Sequence, residues 1–107
     1  MPKTRLMYIE DKSSGLVGEA RIGRVAFSKR GRTIRYNGAE FQSLPGSGFK
    51  ANYFCVETGA RYWISGPRRD GSDGLYGYRP TPIDEDARDE YWTSIRERPD
   101  LRGQSTT

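Results

Sequence analysis

Residues 21–35 hold Arg21, Arg24, Lys29, Arg30, Arg32 and Arg35, and no acidic side chain interrupts them. A second basic group, Arg68, Arg69 and Arg79, is interleaved with Tyr76 and Tyr78. Arginine outnumbers lysine in both groups. A planar guanidinium grips phosphate or carboxylate through two hydrogen bonds and stacks on flat rings. This chemistry suits a nucleic-acid strand, held by its phosphates and stacked on aromatic side chains. The competing reading is that the arginines only solubilise a hairpin edge and discourage edge-to-edge association.

Other chemistry is scarce. The chain has no histidine, so the usual base at neutral pH, the usual metal ligand and every Ser-His or Cys-His couple are missing. Cys55 is the only cysteine; it sits in an apolar stretch and reads as a small core residue. One cysteine without histidine argues against zinc. Asp70 and Asp73 lack the alternating oxygen ligands and closing glutamate of a calcium loop and read as turn residues. Asp84, Asp86 and Glu90 fit helix capping and a solvated helix face. The stretch "GSGFK" lacks the spacing of a phosphate loop. The expectation is a non-catalytic binding module without metal or cofactor, and the partner is a nucleic acid or an acidic protein.

The elements that must carry these groups are short strands. Residues 4–10, 21–28, 33–36, 39–44, about 50–57 and 60–65 read as strands, with Gly23 a candidate bulge. A turn centred on Arg30-Gly31 sets Phe27 opposite Ile34 and Val25 opposite Tyr36. The Asn37-Gly38 turn sets Tyr36 opposite Ala39, Arg35 opposite Glu40 and Ile34 opposite Phe41. Both turns put Val25, Phe27, Ile34, Tyr36, Ala39 and Phe41 on one apolar face.

The hairpin at 50–65 is apolar on both faces. A two-residue Thr58-Gly59 turn pairs Cys55 with Tyr62, Phe54 with Trp63 and Tyr53 with Ile64. One face then holds Tyr53, Cys55, Tyr62 and Ile64; the other holds Phe54, Val56 and Trp63 beside Arg61. Such a strand is covered on both sides or serves as a binding surface. The cover expected here is a helix at about 84–96. Asp84 caps it, Glu85 and Asp86 form an acidic first turn, and Ala87, Tyr91, Trp92 and Ile95 make one apolar stripe. Left uncovered, Phe54, Arg61 and Trp63 would be the partner-binding surface of a protein-interaction or structural module. Residues 66–82 form a long Gly/Pro-rich connection, and 97–107 read as a flexible tail.

A chain of 107 residues with 34% hydrophobic and 12% aromatic side chains makes a single domain, spanning 1–96, in which rings supply most of the core. The fold class is mainly β: a small, strongly bent antiparallel sheet or SH3-like barrel of five to six strands with one C-terminal helix. No apolar run spans a membrane and no charged-then-apolar leader opens the chain, which points to the cytoplasm, as does the lone cysteine. The net charge of +4 is unevenly placed. Residues 1–83 carry 14 basic and 7 acidic side chains; residues 84–107 carry 4 and 7. This polarity steers an acidic partner to the first part, or is used internally, with an acidic helix against a basic sheet.

Residues 48–77, "GFKANYFCVETGARYWISGPRRDGSDGLYG", with the helix start "IDEDARDEYW", resemble a pattern in small uncharacterised bacterial proteins of similar length. The resemblance covers most of the chain outside the tail. It implies a bacterial cytosolic β-rich domain and brings no established activity. An Asp is common in that pattern where Cys55 stands, which implies no thiol chemistry there. Some proteins that share it carry the label deoxyxylulose-phosphate synthase; this chain has neither the length nor the thiamine diphosphate motif of that enzyme.

Overall fold

A computed structural model describes residues 3–13, 18–29, 32–44, 51–71, 73 and 80–107. Six strands follow one another around a closed antiparallel barrel: β1 Lys3–Asp11, β2 Ala20–Phe27, β3 Thr33–Tyr36, β4 Ala39–Ser43, β5 Tyr53–Cys55 and β6 Arg61–Ser65. Closure comes from β1, which pairs with β2 on one side and β6 on the other. A helix, α1, follows as a 3-10 turn Glu85–Ala87, an α-helical turn Arg88–Glu90 and a π-helical stretch Tyr91–Ile95. The mainly-β fold class expected from the sequence is therefore the observed one.

The Asn37-Gly38 turn acts as its residue types dictate. Both residues have positive φ, 51° and 81°, as a tight hairpin turn of this kind requires. Ile34 faces Phe41, Arg35 faces Glu40 and Tyr36 faces Ala39. Phe27 faces Ile34 as expected, but the β2–β3 ladder holds only that pair and Ala26–Arg35. The strands part before Val25 and Tyr36. Gly23 marks no bulge, since β1 and β2 pair without interruption from Lys3–Phe27 to Glu10–Ala20.

The β5–β6 register differs from expectation by two residues: Tyr53 faces Tyr62 and Phe54 faces Arg61. The loop is four residues rather than two, because the Cys55 amide bonds the Ala60 carbonyl and the Gly59 amide returns to Cys55. A slip of two preserves both faces. Tyr53, Cys55, Tyr62 and Ile64 therefore still point into the barrel. They join Met7, Ile9, Val25, Ile34 and Phe41, with Phe27, Tyr36 and Ala39 packed against them.

A second core lies outside the barrel wall. Successive residues of β1 alternate between the two cores: Met7 and Ile9 face inward, Leu6 and Tyr8 outward. Leu6, Tyr8, Ala20 and Ile22 pack under Ile83, Ala87, Tyr91 and Trp92. The helix thus covers β1 and β2, not the Phe54–Val56 side of the hairpin. Only Trp63 of that side reaches it, at the edge with Ile95 and Leu101. The chain entering α1 decides this placement. Ile22 donates to the Pro82 carbonyl and accepts from the Asp84 amide, so 82–84 lies along the part of β2 that β3 leaves unpaired. The π-helical widening lets the adjacent Tyr91 and Trp92 both be buried, edge-on at 5.0 Å.

Asp84 does not cap the helix with its side chain; Arg21 and Tyr36 claim the carboxylate. Residues 97–107, expected as a flexible tail, double back along the helix start. Trp92 Nε1 donates to the Gln104 carbonyl at 3.1 Å. The Ile83 amide reaches Ser105 O at 2.8 Å, and Thr107 N reaches Thr81 O at 3.0 Å. Among the described residues no helix is long and apolar enough to cross a membrane.

Candidate functional site

The barrel divides the basic run of 21–35 into two groups. Arg21 and Arg24 lie on the stretch of β2 beside α1. Arg21 Nε meets Asp84 Oδ1 at 2.6 Å, and Arg24 meets Glu90 Oε1 at 2.9 Å and the Asp86 carbonyl at 3.4 Å. The charge polarity read from the sequence is here spent inside the molecule. Arg35 pairs loosely with Glu40 at 3.4 Å and keeps a side chain 75% exposed, a contact worth little in water.

Lys29 and Arg32 flank the β2–β3 turn, are exposed, and take part in no ion pair among the described residues. The antiparallel register brings the start of β1 to the same end of the barrel: Lys3 faces Phe27 and Arg5 faces Val25. Both are exposed and equally without an acid among the described residues. Neither was singled out from the sequence. The β1–β2 connection has no tight turn from which a register could be read, so only the fold places them beside Lys29. Arg68, just past the end of β6, is exposed, while Arg69 pairs with Glu97 at 2.9 Å. Arg30, Tyr76, Tyr78 and Arg79 lie outside the described residues. Beside the basic turn a hollow of about 260 Å³ is lined by Phe27, Ser28, Thr33 and Arg35 among others. The Thr33 amide donates to Ser28 Oγ at 3.1 Å, which holds its wall.

The other end of the barrel is built around Tyr36. Its hydroxyl donates to Asp84 Oδ2 in a very short contact, while Asp84 Oδ1 receives Arg21. Burial, and then the Asp84 charge, push the Tyr36 hydroxyl well above the usual phenol range; the same carboxylate keeps Arg21 more firmly charged. Gly23 makes this possible. A Cβ there would collide with Asp84 Oδ2 and with the Tyr36 ring. The trio forms one wall of a groove of about 800 Å³.

Two further carboxylates, Asp73 and Glu10, are structural. Asp73, expected only as a turn residue, is buried; it accepts from the Tyr91 hydroxyl at 2.8 Å and the Arg68 amide at 2.6 Å. Glu10 accepts from Lys12 at 2.7 Å, Tyr8 at 2.6 Å and the Gly18 amide at 3.0 Å. Burial alone would raise the Glu10 carboxyl, but these donors outweigh it and hold the group below its ordinary range. Among the described residues no cluster of three or more His, Cys, Asp or Glu could hold a metal. Cys55 is buried in the barrel core.

Of the alternative partner surface, Trp63 is taken up by the outer core, with Nε1 donating to Ser65 Oγ at 3.0 Å. Phe54 and Arg61 stay side by side on the outer face, near Val56, which is 45% exposed. No family model, curated protein or solved structure matches the chain.

Proposed function

We propose that this domain is a non-catalytic module that binds single-stranded nucleic acid at the basic end of its barrel. One observation carries the reading. Lys3, Arg5, Lys29 and Arg32 converge from β1 and the β2–β3 turn, exposed and, among the described residues, without acids to neutralise them. Cations left in this way raise the local concentration of a polyanion and release its counterions on contact. The hollow beside them supports a single strand rather than a duplex. Phe27 offers an apolar wall, Ser28 and Thr33 offer hydroxyls, and Arg35, with a side chain 75% exposed, offers a guanidinium to stack on a base.

The test is anisotropy of a labelled single-stranded oligonucleotide at several salt concentrations. Binding should weaken steeply with salt. Lys29→Ala/Arg32→Ala should flatten the slope by about 1.4, the share of two phosphate contacts on a single strand. Arg24→Ala, whose guanidinium is held by Glu90, should leave the slope unchanged. Salt-independent binding, or an unaltered slope in the double variant, would sink the proposal. A second reading, a protein-interaction module, draws on Phe54, Val56 and Arg61; a partner captured by wild type but not by Val56→Asp would favour it.

A further inference from the structure

At the end of the barrel opposite Lys29 and Arg32, the interior opens in a cavity of about 270 Å³. Ile9 and Phe41, both buried, form its depth, and Tyr62 forms one wall. The Tyr62 ring meets Phe41 edge-on, with centroids 4.7 Å apart. Tyr36 stands between this cavity and the groove beside α1 and lines both.

Three charged side chains face the opening: Arg21, Asp11 and Glu19. Arg21 is already matched by Asp84 at 2.6 Å, so that pair presents no net charge. Asp11 and Glu19 meet no cation among the described residues. The Asp11 amide donates to the Glu19 carbonyl at 2.9 Å, which keeps the two residues together. Asp11 Oδ1 is used by the Ser13 amide and hydroxyl at 2.8 and 2.6 Å, and Oδ2 meets no donor among the described residues. Asp11 also lies directly across from Tyr62 in the β1–β6 pairing. Its charge, second to burial, raises the Tyr62 hydroxyl, as expected for a carboxylate at the edge of an aromatic wall.

We propose that this cavity binds a small organic monocation, a primary ammonium or guanidinium on a short aromatic or apolar stem. The carboxylates of Asp11 and Glu19 take the charge. The stem replaces water over Ile9 and Phe41, and the ring faces of Tyr36 and Tyr62 add attraction for a cation. The volume of about 270 Å³ lies just below the roughly 300 to 1,000 Å³ of drug-sized ligand cavities, so the occupant is small and a nucleotide or folded peptide is too large. An anion meets two uncompensated carboxylates. The site is independent of the nucleic-acid reading, because it lies at the other end of the barrel and selects the opposite charge.

The experiment titrates the isotope-labelled full chain with phenethylammonium and, separately, with phenylacetate, following backbone amide shifts. Phenethylammonium should move the Asp11, Ala39 and Tyr62 amides saturably, and phenylacetate should bind about tenfold or more weaker. Asp11→Asn/Glu19→Gln should weaken the cation about tenfold or more, with amides elsewhere unmoved. Should the double variant fail to fold, Glu19→Gln, at an exposed position, carries the test with a loss of about threefold. Equal affinity for the anion, wild-type affinity in the variants, or no saturable shift with phenethylammonium overturns the proposal.

Discussion

Arg21 and Arg24 occupy the half of β2 that lies beside the helix, where Asp84 and Glu90 meet their guanidinium groups. Lys29 and Arg32 follow at the β2–β3 turn and meet no acid among the described residues. In the sequence all four belong to one basic run. The fold converts the first pair into a joint between barrel and helix and leaves the second pair facing water. A run of like charge is therefore not yet a surface. What makes it one is the absence of complementary charge in the elements that pack beside it, and α1 supplies that charge on one side only.

The contrast between held and free cations is broken most severely at Lys12, whose side chain is 3% exposed against Glu10 at 4%. Lys12→Met takes the cation away from the buried Glu10 carboxyl and should remove about 3–5 kcal/mol of stability in urea unfolding. A loss under about 1 kcal/mol would mean that Glu10 has other sufficient donors. The same pair predicts an acid limit. The Glu10 carboxyl is depressed in the folded chain, so its contribution is full above the unfolded value of 4.5 and is lost as pH falls through the lower folded value. The wild-type unfolding free energy should decline below that point, and Glu10→Gln should blunt the decline.

A smaller break is Gly23→Val, which forces Tyr36 and Asp84 apart and should cost about 1–3 kcal/mol. Adding Tyr36→Phe should not restore the loss, because the ring itself is in the way. Smaller again is Arg24→Ala, a partly exposed pair worth about 0–1 kcal/mol. Smallest is Lys29→Ala/Arg32→Ala, expected within about 0.5 kcal/mol of wild type while oligonucleotide binding falls. A large stability change there would erase the distinction between the two groups.

Local chemistry made much of the barrel legible. Asn37-Gly38 fixed the β3–β4 register, and alternation fixed which rings face inward. The β5–β6 register departs from the two-residue turn that Thr58-Gly59 suggests because Gly59, with φ of 75°, closes a four-residue loop. The faces survived because the slip was even. The run Leu6-Met7-Tyr8-Ile9 is apolar at every position, and it was the stronger sign of a strand covered on both sides; the helix went there. Asp84 shows the limit of local rules. An acid before a helix reads as a cap, but Arg21, 63 positions away, took its carboxylate. Nor could local signals show that the polar stretch 97–107 would lie against 81–83. The free cations were half legible: Lys29 and Arg32 stand in an obvious run, while Lys3 and Arg5 join them only through the β1–β2 pairing.

The strip 82–84, laid along the opening between β2 and β3, also has a kinetic meaning. Its partners on β2 are far away in the chain, so the loop that brings them together is long and slow to close. The β3–β4 hairpin, closed by a two-residue turn, has no such delay. The molecule should assemble as a partly zipped cylinder that the C-terminal strip seals last. Trimming Ile83 to Val should then hasten unfolding and leave the folding rate nearly unchanged in stopped-flow measurements.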